Sequence, residues 1–175
     1  NFSVSARQFQ IFDQVDIGPY RALPQVDFNY YKNNLADNWL DFKLYAQAVR
    51  FNNDSALMPT AWRFHLEPQL STLMSNKYGS LNIETKLYAT RYHQKKGSSD
   101  RAEEVQSSVS RVLPQIKVDF QSVLASTKTL IDGYTQTIEP HIQYLVRAYK
   151  DQSNIGSKRQ NAYLGYGYDS ALLQQ

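Results

Sequence analysis

The stretch from 133 to 149, GYTQTIEPHIQYLVRAY, alternates between apolar and polar side chains, and this period of two residues limits the fold more than any other feature. Tyr134, Ile138 and Ile142 share one parity, whereas Glu139 and His141 share the other. Successive side chains of a β-strand point to opposite faces, so the pattern predicts a strand with one apolar and one polar face. If the strand is tilted by about 45°, its central residues rise about 28 Å, close to the thickness of the hydrocarbon core of a bilayer.

Six further segments repeat the alternation less regularly, which predicts seven strands of an up-and-down antiparallel sheet over 2–12, 20–31, 39–51, 59–71, 80–93, 111–125 and 133–149. The first segment changes parity near Arg7, which indicates a β-bulge. These strands run for about 11 to 15 residues, whereas strands of soluble sheets usually have about 5 or 6. Strand length therefore favours an all-β, transmembrane β-barrel, with about seven strands of a larger barrel present here, over a soluble β-sandwich.

The composition agrees with a transmembrane barrel and excludes a transmembrane helix. Only 42% of the residues are hydrophobic, the mean hydropathy is −0.55, and no more than three apolar residues stand in a row. In a barrel wall the lipid-facing and lumen-facing residues alternate, so the average is mildly polar, and 13 Tyr, 8 Phe and 2 Trp suit interfacial girdles. The net charge of +3 comes from interleaved acids and bases, which does not indicate nucleic-acid binding.

The parity of each strand divides the candidate wall residues into two sets. The polar set carries both signs of charge, which is too charged for a packed core and fits a hydrated lumen. The predicted lumen-facing residues are Lys43, Arg63, His65, Glu67, Glu84, Lys86, Arg111, Lys117, Asp119, Glu139, His141 and Arg147. The predicted lipid-facing residues are Leu40, Phe42, Leu44, Phe64, Leu66, Leu81, Ile83, Leu87, Ile116, Val118, Ile138 and Ile142.

Four prolines, Pro24, Pro68, Pro114 and Pro140, fall inside predicted strands and always in the apolar parity. A proline within a sheet lacks the N–H that the ladder uses and is normally confined to edges or bulges. The repeated placement predicts distortions that the strands share; the alternative is that each proline marks a strand entrance or an edge.

Catalytic and metal chemistry find little support in the sequence. His65, His93 and His141 lie far apart without metal-ligand spacing, and cysteine is absent. No glycine-rich phosphate loop stands between a strand and a helix. We expect no enzyme activity, no metal site and no cofactor.

Several segments resemble, in the same order, the barrel of the outer-membrane lipopolysaccharide-assembly family LptD, also called the organic-solvent-tolerance protein family. They are 23–31 (LPQVDFNYY), 65–68 (HLEP), 111–119 (RVLPQIKVD), 134–145 (YTQTIEPHIQYL), 149–153 (YKDQS) and 168–174 (YDSALLQ). The resemblance covers nearly the whole chain, with residues 156–167 as an insertion. It implies that residues 1–175 are an internal part of a C-terminal β-barrel, with both ends cut.

The resemblance also implies a function, a location and partners. The family's barrel transports lipopolysaccharide and inserts it into the outer leaflet of the Gram-negative outer membrane. The implied partners are a lipoprotein plug (LptE) in the lumen, lipopolysaccharide, the outer-membrane lipids and, through an N-terminal domain outside these residues, a periplasmic transport bridge. The lumen-facing residues above become candidate contacts for plug or cargo, whereas the family's lateral gate and cysteines lie outside this chain. A passive porin-type channel is the alternative function, and a soluble carbohydrate-binding sandwich is the third.

Overall fold

The computed structural model describes residues 2–7, 21–98, 100, 105–126, 136–150 and 155, with only the backbone described for 2–7. Within this part of the chain every regular element is a β-strand, which confirms the all-β prediction. The strands are β1 Phe2–Arg7, β2 Arg21–Leu35, β3 Leu40–Asn52, β4 Thr60–Asn76, β5 Gly79–Lys95, β6 Ser108–Ser122, β7 Leu124–Ala125, β8 Thr137–Ile138 and β9 His141–Arg147. The predicted insertion at 156–167 lies outside the described residues.

Seven strands form one antiparallel sheet in the order β1-β2-β3-β4-β5-β6-β9, so each strand of the sheet pairs with the next one along it. This order confirms the predicted up-and-down antiparallel sheet. Strands β1 and β9 form its two edges, and the described residues therefore form an open sheet in which barrel closure is not seen.

The predicted single strand over 133–149 is wrong, because the structure divides its described part into β8 and β9. Pro140 stands between them, and a proline has no N–H to donate to a ladder. Its carbonyl oxygen still accepts a hydrogen bond from the Ser122 N–H at 3.0 Å. Strand β8 is not part of the large sheet; it pairs with β7 in a separate two-stranded sheet.

The remaining prolines behave differently from one another, so the prediction of distortions shared by all four is wrong. Pro24 lies where the register of β2 against β3 shifts between Ala22 and Gln25. Pro68 and Pro114 lie within regular registers, opposite Leu44 and Leu87 respectively.

A bulge in the first strand is confirmed, since the register of β1 against β2 shifts between Ser5 and Arg7. The shift lies where the sequence changes parity, and an extra residue in one strand of an antiparallel pair has this effect.

A small apolar core lies on the same side of the sheet as the charged residues, at the end where β3 stops and β4 begins. The strands contribute the buried side chains Ala22, Val49, Phe51, Ala61 and Tyr92. Met58, in the connection between β3 and β4, completes the cluster, and Ile155 packs against it. The prediction that this side is too charged for a packed core is therefore wrong at this end, because a connection folds over the strand ends and covers them.

Strands β4 and β5 join through a tight turn at Lys77 and Tyr78. The Asn76 side-chain oxygen accepts hydrogen bonds from the backbone N–H groups of Tyr78 at 2.8 Å and Gly79 at 3.2 Å. A Cβ atom at Gly79 would collide with the backbone carbonyl oxygen of Gln121 in β6. The neighbouring strand therefore requires glycine at this position.

Replacement of Gly79 by valine is expected to lower the free energy of unfolding by about 1–3 kcal/mol, because backbone atoms must move to admit the side chain. The measurement is urea unfolding of the full-length protein that carries this chain, in detergent. Ser80→Val is the matched control, as the next residue of the same strand. Equal unfolding midpoints for Gly79→Val and the wild type would contradict the close approach.

Candidate functional site

The two faces of the seven-stranded sheet expose the opposite kinds of side chain from those of a soluble sheet. On one side, which we call the apolar face, Phe64 is 51% exposed and Leu66 43%. On the other side, the polar face, Gln47 is only 6% exposed and His65 only 8%. A soluble sheet covers its apolar side chains and leaves its polar ones to water. The sheet is therefore suited to apolar surroundings on its apolar face.

Asp27 is the centre of a hydrogen-bond network that joins the polar face of β2, β3 and β4. Its Oδ1 accepts hydrogen bonds from the Tyr45 hydroxyl at 2.7 Å and from Gln47 Nε2 at 2.8 Å. Its Oδ2 accepts one from Gln25 Nε2 at 2.8 Å. The Oε1 of Gln47 in turn accepts a hydrogen bond from Arg63 Nη1 at 2.5 Å. The network thus links the carboxylate to a guanidinium through one amide.

His65 continues the polar face from β4 to β5. Its Nδ1 lies 2.8 Å from the Thr90 hydroxyl, and its Nε2 lies 3.5 Å from the Glu67 carboxylate. The ring is edge-on to Tyr45, with centroids 6.0 Å apart, and tilted towards Tyr88 at 6.4 Å. Contacts on both sides hold the imidazole on the polar face.

Lys86 pairs with acidic side chains on two strands. Its Nζ lies 2.9 Å from a Glu67 oxygen and 3.9 Å from a Glu84 oxygen. Gln69 donates a hydrogen bond to Glu84 at 2.8 Å, and the Lys86 ammonium lies 5.6 Å from the centroid of the Tyr88 ring. Two carboxylates thus share one ammonium in this cluster.

Arg147 ties the edge strand β9 to β6. Gln115 Oε1 accepts hydrogen bonds from its Nε at 2.7 Å and from its Nη2 at 2.5 Å. The guanidinium carbon lies 4.7 Å from the centroid of the Tyr88 ring, and Nη2 donates to the Tyr88 hydroxyl at 3.2 Å. The aromatic ring and the amide together hold the cation in place.

Asp119 contacts three further polar side chains of β6 and β9. Its Oδ1 lies 2.9 Å from His141 Nε2, and its Oδ2 accepts a hydrogen bond from Gln143 at 3.1 Å. Lys117 Nζ lies 3.6 Å from Oδ2. The polar face therefore carries both signs of charge, with ion pairs on β4, β5, β6 and β9.

Within the described ranges no group of three or more His, Cys, Asp or Glu side chains is placed to hold a metal ion. None of the described segments is a helix long and apolar enough to cross a membrane.

A family model described as "LptD: LPS transport system D" matches residues 1–175. The chain belongs to the LptD family. Similar relatives, each named LPS-assembly protein LptD, come from Mannheimia succiniciproducens (71% identical), Haemophilus influenzae (71%) and Pasteurella multocida (67%). Each match covers 100% of this chain and 22% of the relative, so the chain spans about a fifth of the length of those proteins.

Membership of the LptD family confirms the resemblance drawn from the sequence. The narrower expectation of an internal part of a C-terminal barrel is corrected, because the matched segment is not the C-terminal part of those relatives.

The structure brings most of the predicted lumen residues of this LptD-family chain onto the polar face. They are Lys43, Arg63, His65, Glu67, Glu84, Lys86, Arg111, Lys117, Asp119, His141 and Arg147. Glu139 is the exception, since it lies between β8 and β9 and outside the large sheet. Ile138, predicted to face lipid, lies in β8 and is likewise outside that sheet, whereas the other predicted lipid-facing residues lie on the apolar face.

Four residues that organise the networks were not singled out from the sequence: Asp27, Tyr45, Gln47 and Gln115. All four lie in the polar parity of long strands, so alternation placed them on the right face. Their pairing depends on the register between strands, which no local pattern states. Lys43 differs from its neighbours, because it is exposed and has no hydrogen bond or ion pair with any described residue.

Proposed function

We propose that the protein carrying this chain transports lipopolysaccharide and inserts it into the outer leaflet of the Gram-negative outer membrane. In this proposal the seven-stranded sheet is part of the wall of a multi-pass transmembrane β-barrel. The observation that carries the proposal is the inverted burial of the two faces, with exposed apolar side chains on one and buried, hydrogen-bonded polar side chains on the other.

The apolar face supports contact with lipid. A row of apolar residues crosses four adjacent strands through Leu44, Pro68, Leu87 and Pro114. Strand β3 has 13 residues and β5 has 17. At a tilt of about 45° even the shorter one rises about 30 Å, which is enough to cross the hydrocarbon core.

The polar face supports a hydrated interior that admits a phosphorylated, sugar-bearing cargo. Its paired charges form a wall without a strong net field, and Lys43 and His141 remain exposed on it. A cationic side chain in such a position can bind phosphate oxygens. This arrangement favours passage of the cargo over tight capture, and the role needs neither a cofactor nor enzyme activity.

A lipoprotein plug in the lumen is part of the proposal. The polar face also exposes two large apolar side chains, Leu73 at 65% and Leu145 at 51%. Exposed apolar side chains on an otherwise polar wall fit the surface of a second protein better than water. The periplasmic bridge would engage parts of the protein outside this chain.

A photo-crosslinking amino acid tests the assignment of the two faces in the full-length protein. We expect probes at Lys43 and Leu73, on the polar face, to form adducts with a small lipoprotein. Probes at Phe42 and Met74, their immediate neighbours on the apolar face, should form adducts with lipid and none with the lipoprotein. Free ion conductance by the purified protein, together with no lipoprotein adduct, would refute the transport proposal and favour a passive porin-type channel.

A further inference from the structure

The charged residues on the apolar face have only one sign. Strands β2–β6 and β9 place five basic residues there and no Asp or Glu in their described positions: Arg21, Lys32, Arg50, Arg91 and Lys95. All but Lys32 lie at the same end of the sheet, beside the connections that follow β3 and β5. Arg21 already pairs with Asp54 of the connection after β3, which leaves Arg50, Arg91 and Lys95 at this end. The polar face, in contrast, mixes both signs. This end of the apolar face is therefore suited to an anionic partner.

A groove of about 520 Å³ opens on the apolar face, and of these five bases Arg91 lines it. Ala46, Ala48 and Ala89 line it with small side chains, and Phe28 and Leu66 line it with large ones. Arg91 lines it on β5, opposite Phe64 in the register between β4 and β5. The groove is thus mostly apolar, with the basic side chain of Arg91 on its lining.

Arg50 and Arg91 are available to a ligand at this end. Arg91 donates a hydrogen bond to the Ser108 hydroxyl at 3.3 Å, and the Arg50 guanidinium lies 6.0 Å from the centroid of the Trp62 ring. Neither arginine forms an ion pair with any residue in the described part of the chain. Tryptophan beside arginine at the edge of an apolar band is typical of the level of the lipid headgroups.

We propose that the groove binds a phosphate-bearing membrane lipid, with an acyl chain against Ala46, Ala48 and Ala89 and the phosphate against Arg91 and Arg50. The inference rests on the proposed function, because only a membrane-embedded face meets acyl chains. Charge complementarity selects this occupant: guanidinium groups bind phosphate oxygens strongly, and the groove offers the apolar remainder of the lipid a matching surface. The site is distinct from the lumen, since it lies on the opposite face of the sheet.

Native mass spectrometry of the full-length protein in detergent tests the site with three probes. They are dimyristoylphosphatidylglycerol, dimyristoylphosphatidylcholine and the soluble headgroup analogue glycerol 3-phosphate. The double variant R50Q/R91Q should bind the anionic lipid about 25-fold more weakly, at about 5-fold for each base near a lipid phosphate. The loss should be smaller for phosphatidylcholine, because its choline cation offsets the charge of the same phosphate. Ala89→Leu, which fills the groove, should weaken binding of both lipids.

Lys32→Gln is the matched control, because it removes a base from the same face at the other end of the sheet. It should leave the affinity for phosphatidylglycerol unchanged. Equal loss in Lys32→Gln and R50Q/R91Q would overturn the site in favour of diffuse attraction. If glycerol 3-phosphate bound as tightly as the lipid, the lipid site would be overturned in favour of a site for free phosphate. This comparison can be made even if the Ala89→Leu variant fails to fold.

A photo-crosslinking amino acid at Ile116 separates failure of this site from failure of the proposed function. Ile116 lies on the apolar face and is not among the residues that line the groove. A lipid adduct at Ile116 combined with unchanged binding in R50Q/R91Q would refute the lipid site alone. No lipid adduct at Ile116 would refute the membrane wall, and the lipid site with it.

Discussion

Leu87→Arg is expected to lower the free energy of unfolding of the full-length protein by about 2–4 kcal/mol in a bilayer, the largest effect of a substitution on the apolar face. Leu87 lies midway along β5 and is opposite Pro114 in the register with β6. If the apolar face contacts lipid, this position is close to the middle of the hydrocarbon core. A charge there has neither water nor a nearby acid to interact with, since the strands place no Asp or Glu on that face within the described residues.

Urea unfolding in lipid vesicles measures this effect, and Asn82→Arg is the matched control. Asn82 lies on the same strand but on the polar face, opposite Asp119. An added base should be tolerated there, so the free energy of unfolding should change by less than about 0.5 kcal/mol. If Leu87→Arg and Asn82→Arg had equal effects, the assignment of the faces to lipid and lumen would be wrong.

Asp27→Ala is expected to lower the free energy of unfolding of the full-length protein by about 3 kcal/mol. It removes the acceptor on which the polar network of β2, β3 and β4 converges. The Tyr45 hydroxyl and the amides of Gln47 and Gln25 would each lose the hydrogen bond that they donate to Asp27. Gln47 Nε2 would keep its hydrogen bond to the Tyr45 hydroxyl at 2.9 Å, whereas the donors of Tyr45 and Gln25 would lose their acceptor and retain the cost of desolvation.

The same unfolding measurement distinguishes the network from a general effect of truncation in β2. Asn33→Ala removes an exposed side chain from that strand and should change stability by less than about 0.5 kcal/mol. Asp27→Asn keeps an oxygen acceptor and should recover part of the loss. An Asp27→Ala protein as stable as Asn33→Ala would show that the network does not stabilise the wall.

Alternation predicted the two faces of the sheet from the sequence because the period of a strand is a local property. Leu44, Phe64 and Leu87 lie on the apolar face, and Lys43, Arg63 and Lys86 lie on the polar face, as their parity predicted. The change of parity near Arg7 likewise predicted the observed bulge. Each of these features depends on neighbours only a few residues apart.

The predictions that the structure contradicts share a different cause. The strand over 133–149 was predicted to be continuous because its parity is continuous. Pro140 has no N–H to donate, and the residues before it form β8, which pairs with β7 instead of the large sheet. The apolar cluster around Phe51 and Tyr92 was missed because its cover, Met58, comes from a connection whose course depends on the whole sheet. Neither outcome follows from a period of two residues.

The sequence by itself determined the long strands β2 to β6, their order along the chain, the apolar and polar faces that they form and membership of the LptD family, because side-chain alternation and motif order are local. Only the tertiary structure decided which polar residues meet across strands, such as Asp27 with Tyr45 and Arg147 with Gln115. The tertiary structure also decided that small side chains from neighbouring strands align into a groove that Arg91 helps to line. The physical reason is register: a shift of one residue between two strands would move every one of these partners to the other face.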